Sequence, residues 1–357
     1  TDVRVVGAIP ALFRTNPVGP TDVSPVRAPI HENAEGMPDV TGAPSRINRL
    51  DLARWLVSPG NPLAARVAVN RAWQAFFGIG LVKTAEDFGM QSEPPSHPEL
   101  LDWLATEFVA RGWDVKALHR LIVTSATYRQ SSRVTPALHE RDPENRLLAH
   151  GPRYRMASWM LRDQALAAAG LLVEKPGGPA VKPYQPDGIW EEATFGKKTY
   201  KQDHGSALYR RSLYVFWRRI VGPTTFFDAG ARQTCTVKVG RTDTPLHALV
   251  TLNDPAFVEA ARVMAQGALV AADNDASRLD YGFRLLTARL PTPKEKDILL
   301  ARLQILRGQF AADPEAARQL ASAGEAARPE TMDPVEHAAW TALCSLIMNL
   351  DETLSKE

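Results

Sequence analysis

The chain has 357 residues, 45% hydrophobic and 23% charged, which puts it in the globular range with material for one large domain or two modest ones. Lysine plus arginine number 42 against 40 aspartates plus glutamates, a formal charge of +2, so there is no strong field for nucleic acid or anionic lipid. No apolar run approaches the ~18 residues of a membrane span, and no charged-then-apolar leader opens the sequence.

Residues 1–45 are rich in Pro and Gly and lack sustained periodicity; they predict an extended N-terminal arm or linker. The first residue is Thr1 rather than Met, which predicts a processed product or a fragment with any targeting segment upstream. Residues 46–357 predict a mainly α, multi-helix globular domain with a small β insertion. In "RLDLARWLVSPGNPLAARVAVNRAWQAFFG" a short helix is followed by a Ser-Pro-Gly break and a second helix starting at Asn61 with Pro62 in its first turn. Val69, Trp73, Phe76 and Phe77 share its inner side; Arg66 and Asn70, four apart, share another.

Ser96 and Glu99 have capping-box spacing ahead of Leu100, Leu101, Leu104 and Phe108, and Gly112 closes that helix. Asp114 caps the next, whose inner stripe is Val115, Leu118, Leu121 and Ile122. Another helix is predicted from about Tyr154 to Leu172. Residues 174–243 then read as an insertion of loop and short strand. Its loop, "GGPAVKPYQPDGIWEEATFGKKTYKQDHG", is longer than a compact domain normally tolerates without a role. "YRRSLYVFWRRI" reads as a short buried strand with "TCTVKV" as partner. Helix resumes at Pro245 after Thr244 and at Pro255 after Asp254, and the tail alternates alanine-rich helices with Pro breaks. No fixed-period repeat is evident.

The block from "RLDLARWLVSPGNPLAARVAVNRAWQAFFG" to "LHRLIVTSATYRQSS", with "GGPAVKPYQPDGIWEE", "RRSLYVFWRR", "RTDTPLHALVTLNDPAFVEAAR" and "MNLDE" in order, resembles the planctomycete-specific PSD1 (DUF1553) domain family over roughly residues 46–354. The resemblance implies a C-terminal domain of large exported proteins, behind a cytochrome c domain and a second domain, PSCyt2 or DUF1549. It therefore implies an extracytoplasmic location and cytochrome c or DUF1549-type domains as partners, but carries no established reaction. Relatives usually read Arg-Thr-Asn-Thr-Pro-Leu-Gln-Ala-Leu where this chain has "RTDTPLHAL", so Asp243 and His247 replace two amides. Neither cysteine, Cys235 or Cys344, sits in a haem-attachment or metal-knuckle motif; haem is expected only in a separate or upstream domain, and no cofactor in this chain.

Residues 228–254 concentrate candidate chemistry. A helix starting at Thr244-Pro245 presents free N–H groups and the positive dipole end to an anion, and Arg241 would add a bidentate fork. Asp228 and Arg232 are four apart. One reading is a pocket for an anionic or hydroxyl-rich ligand; the other is that Asp228 or Asp243 already occupies these donors and ties the insertion to the helices. Cys235 with His247 or His204 would make a nucleophile–base pair, but a lone cysteine alternating with Val237 and Val239 is more simply a small buried hydrophobe. Glu86, Asp87, Glu93, His97 and Glu99 would offer ligands to calcium, yet their spacing fits no EF-hand, and no metal site is assigned. In the long loop, Tyr184, Trp190, Phe195 and Tyr200 lie among Lys182, Lys197, Lys198 and Lys201, a mixture suited to stacking on sugar rings, to docking a partner domain, or to pinning the loop through Tyr184 and Trp190.

Two functions follow. The first is a non-catalytic extracytoplasmic module that holds polysaccharide or supports cytochrome c or DUF1549-type domains. The second is an enzyme on anionic (sulfated or uronic) carbohydrate, with Asp228 or Asp243 as catalytic acid/base and Arg232 and Arg241, with Thr244, Tyr184 and Trp190, as ligand-binding residues. Nucleic acid and a membrane span are not expected.

Overall fold

The computed structural model describes residues 48–218, 221–230, 236–237 and 240–356. These fall into two compact units, one ending at Tyr154 and the other running from Arg155 to Lys356. Helices dominate both, and the one sheet among the described residues pairs two two-residue strands, β1 (Tyr154–Arg155) and β2 (Ser355–Lys356).

The first unit contains α1 (Arg49–Leu56), α2 (Ala64–Phe77), α3 (Pro98–Ala110), α4 (Val115–Thr124) and α5 (Pro136–Arg141). Asn48 and Asp51 form a capping box on α1. The expected box at Ser96 and Glu99 does not form: His97 occupies the cap without a side-chain bond and Pro98 takes the first helical position, where its missing N–H costs nothing. The core joins Val69, Trp73 and Phe77 of α2 to Leu100, Leu101, Leu104 and Phe108 of α3 and Leu118 and Ile122 of α4. Trp73 and Phe77 stack with centroids 4.1 Å apart.

The polar side assigned to Arg66 and Asn70 splits in two. Arg66 pairs with Asp102 at 2.6 Å. Asn70 is fully buried; its amide donates to the Val82 carbonyl (3.0 Å) and accepts from the Val82 N–H (2.9 Å), satisfying a loop that has no ladder partner. Gly80 permits this, because a Cβ there would stand 2.6 Å from the Asn70 amide nitrogen.

In the second unit α6 (Ser158–Ala168) is shorter than predicted, since Tyr154 and Arg155 are extended. α7 (Ile189–Ala193) lies in the insertion, followed by α8 (Pro245–Asn253), α9 (Pro255–Ala271), α10 (Asp275–Thr287), α11 (Pro293–Ala312), α12 (Pro314–Ala321), α13 (Pro334–Met348) and α14 (Asp351–Leu354). Asp254, Thr292, Asp313 and Asp333 each cap a helix that has Pro in its first turn. Thr244 starts α8 without a side-chain bond. The core is α9 against α13, with Ala260, Ala261 and Ala265 clustering with Ala339, Trp340, Leu343 and Ile347. Small side chains let two helices approach closely.

The strand expected at "YRRSLYVFWRRI" is instead two 3-10 turns, Gly205–Tyr209 and Ser212–Tyr214, with single bridges Val173 to Arg210 and Val181 to Val215. Pro179 and Pro183 flank Val181 and have no N–H to extend a ladder. Most of the proposed partner "TCTVKV" lies outside the described residues.

His337 is fully buried; one ring nitrogen lies 2.9 Å from the Arg262 carbonyl and the other receives the Arg328 guanidinium at 3.3 Å. This assigns a neutral ring with hydrogen on Nε2. Burial first, then the cations Arg262 and Arg328, lower its pKa below 6.5, against a raising hydrogen bond to the carbonyl. The folded pKa is thus below the unfolded one, so its contribution is present above about pH 6.5 and lost as pH falls. Urea titrations from pH 7.5 to 5 are expected to show stability falling with pH, with a smaller slope in His337→Gln.

Candidate functional site

Asp228 reaches back seventy residues to cap α6. One oxygen accepts from the Ser158 N–H (3.1 Å) and hydroxyl (2.5 Å); Ala157, the local cap residue, has no side chain to do so. Asp243, exposed, pairs with Arg155 at 2.8 Å. Arg241 is exposed, and Thr244 is half-buried and extended at the start of α8. Arg232 and Cys235 lie outside the described residues. The described part of this stretch therefore supplies tertiary bonds. Asp228→Ala is expected to cost about 1–2 kcal/mol in denaturant unfolding, and Asp228→Asn less, because the amide oxygen still accepts.

The two histidines weighed as bases lie in different settings. His204 is exposed and pairs with Glu325 at 2.6 Å. His247 is buried and stacks on Phe227 with centroids 4.3 Å apart. Cys344 is buried in the helical core, and burial pushes its thiol up to about 12, the behaviour of an inert core cysteine. In the first unit the Asp87 carboxylate accepts from Gly89 N–H at 2.6 Å, and His97 is lowered by burial and by Arg146. Among the described residues no group of three or more His, Cys, Asp or Glu is placed to hold a metal.

The insertion builds the more open site. Trp190 of α7 is buried, and its indole N–H donates to Gln185 at 2.9 Å, while Gln185 donates to the Gly222 carbonyl. Its ring lies 5.6 Å from Tyr200 and 5.9 Å from Phe216, centroid to centroid. The Tyr200 hydroxyl donates to the Pro183 carbonyl at 2.7 Å, and burial raises its pKa, so the ring is fixed and neutral. Lys182 stands over Phe216 (5.5 Å) and Arg218 over Trp190 (5.7 Å). The Lys182 backbone is anchored by reciprocal bonds with Asp203. These three rings and two cations, with Lys198 and Thr199 on the exposed lip, line an open cleft of about 430 Å³. That lies within the usual range for a small-ligand pocket.

None of the lining residues is an acid or a histidine, and none of the three cations forms an ion pair within the described residues. The cleft can therefore offer cationic charge and aromatic contact to a ligand. Tyr184 turns elsewhere, packing beside Leu166, Leu208 and Tyr209 and accepting the Glu325 N–H at 3.0 Å. Phe216 and Arg218 escape a reading of the sequence that assigns them to a buried strand; the arginine pair closing "FWRR" is the signal that a surface is near.

A family model described as PSD1, protein of unknown function (DUF1553), matches residues 48–303. The chain belongs to the PSD1 family. No curated protein and no solved structure matches it. The PSD1 match takes in the cleft and the 228–254 stretch entirely. Within this PSD1 chain Asp243 and His247 have different settings. Asp243 holds Arg155 at the surface, whereas His247 is enclosed with its Nδ1 unpartnered among the described residues.

Proposed function

We propose that this PSD1 domain is a non-catalytic binding module that takes an anionic saccharide, sulfated or uronic, in the cleft of the insertion. The observation that carries this is Lys182 and Arg218 seated on Phe216 and Trp190 with no ion-paired carboxylate among the described residues. Cations held over rings are pre-positioned, so a sulfate or carboxylate gains charge-assisted hydrogen bonds without first breaking an ion pair. The half-buried Tyr200 and Phe216 rings beside these cations offer apolar contact to the C–H side of a pyranose. The near-neutral chain supplies no strong net field for nucleic acid. From the family resemblance we further propose an extracytoplasmic location beside cytochrome c or DUF1549-type domains, any haem being theirs. Among the described residues no helix is long and apolar enough to cross a membrane.

Calorimetric titration with chondroitin sulfate, polygalacturonate, dextran and a single-stranded oligonucleotide tests the saccharide assignment. Binding of either anionic polysaccharide, weakening with salt, with none to dextran, is the expected result. Equal or tighter binding of the oligonucleotide, or no binding of either polysaccharide, would refute it.

A further inference from the structure

Phe195 lies three residues before Lys198 on the lip of the cleft and is 93% exposed. It also holds a left-handed backbone, φ +52°, a conformation that disfavours a bulky L-residue and normally falls to glycine at a helix end. The turn is the usual glycine-type helix stop: Phe195 N–H bonds to the Glu192 carbonyl (3.3 Å) and Gly196 N–H to the Glu191 carbonyl (2.8 Å). Trp113 and Leu148 also have positive φ, but both pack against the core of the first unit. Phe195 has no such return, so both its backbone and its exposed ring cost free energy in the unliganded chain.

The tip is nonetheless firmly held. The buried Thr194 hydroxyl donates to the Trp190 carbonyl at 2.6 Å and accepts the Lys198 N–H at 3.0 Å. One side chain thus ties the helix that carries Trp190 to the strand of loop that forms the lip. Phe195 is presented on a braced turn, with exposed Lys197 and Lys198 directly after it. Its Cα is at most about 11 Å along the chain from that of Lys198, within the reach of a short oligosaccharide seated in the cleft.

We infer that Phe195 is a second binding residue, an aromatic platform on which a sugar unit beyond the cleft stacks while Lys197 and Lys198 meet its anionic substituents. This rests on the saccharide-binding reading of the cleft, and adds to it that the ligand is an extended chain. The charge of the two lysines and the absence of acids from the adjoining cleft select an anionic glycan over a neutral one.

The test uses the full chain and size-fractionated chondroitin sulfate, disaccharide against octasaccharide. Phe195→Gly removes the ring and suits the positive φ, so its melting temperature is expected to equal or exceed that of the parent. It should bind the disaccharide as the parent does and the octasaccharide about tenfold more weakly. Phe195→Trp should retain octasaccharide affinity, which a merely structural role for the position would not require. If Phe195→Gly leaves octasaccharide affinity unchanged while Lys182→Ala/Arg218→Ala abolishes binding of both lengths, the platform is disproved and the cleft stands. If the parent binds neither length, both readings fall.

Discussion

Replacing Arg262 by alanine lowers the unfolding free energy by about 3–5 kcal/mol. Arg262 and Glu259 sit one turn apart on α9, each only 1% exposed, with a guanidinium nitrogen 4.0 Å from the carboxylate. Arg262 donates to the carbonyls of Ala323 and Ala326, while Glu259 accepts from the Tyr209 hydroxyl (2.9 Å) and the Ala326 N–H (2.6 Å). Together they fasten the turn after α12, and with it Tyr209 of the insertion, to the central helix. Truncation strands two carbonyls and leaves Glu259 as an uncompensated buried charge, which is why the cost exceeds that of the lost hydrogen bonds alone. Glu259→Gln/Arg262→Met should be less destabilised than the sum of its single variants, measured by urea unfolding in a double-mutant cycle. Additive losses would show that the two residues act separately.

If the cleft takes an anionic saccharide as proposed, Lys182→Ala/Arg218→Ala is expected to weaken chondroitin sulfate binding by about a hundredfold or more while leaving the fold intact. Each side chain supplies a charge-assisted contact of roughly 1.5–3 kcal/mol, and each surrenders only a cation–π contact of about 0.5–1 kcal/mol in the unliganded protein. Calorimetry beside a melting curve separates the two effects. The dependence of affinity on salt should become shallower as well, since two fewer cations meet the ligand. A large drop in melting temperature with unchanged affinity would make these residues structural.

The helices were legible because their signals are local. Pro in the first turn, with Asp254, Thr292, Asp313 or Asp333 before it, starts four helices of the second unit, and the stripe Leu100, Leu101, Leu104 and Phe108 is buried as its spacing predicts. Local signals misled where a competing local constraint was stronger. Pro98 displaced the Ser96 box, and prolines beside Val181 left single bridges where alternation suggested a strand.

The site was legible only in part. Trp190, Tyr200, Lys182 and Lys198 stand out as aromatic residues among lysines in an overlong loop, and all four line the cleft. Which ring would turn inward could not be read, because Tyr184 and Trp190 have the same local surroundings, and only the packing of Leu166 and Leu208 against Tyr184 separates them. Composition and periodicity by themselves determined a mainly α chain and most of its inner faces, though not that of Val115, which is 52% exposed, nor the caps expected at Ser96 and Thr244; such signals depend on neighbours within one helical turn. The pairing of Asp228 with Ser158, the burial of Glu259 beside Arg262 and the seating of Lys182 and Arg218 on their rings were decided by the tertiary structure, because each depends on where the fold brings segments together.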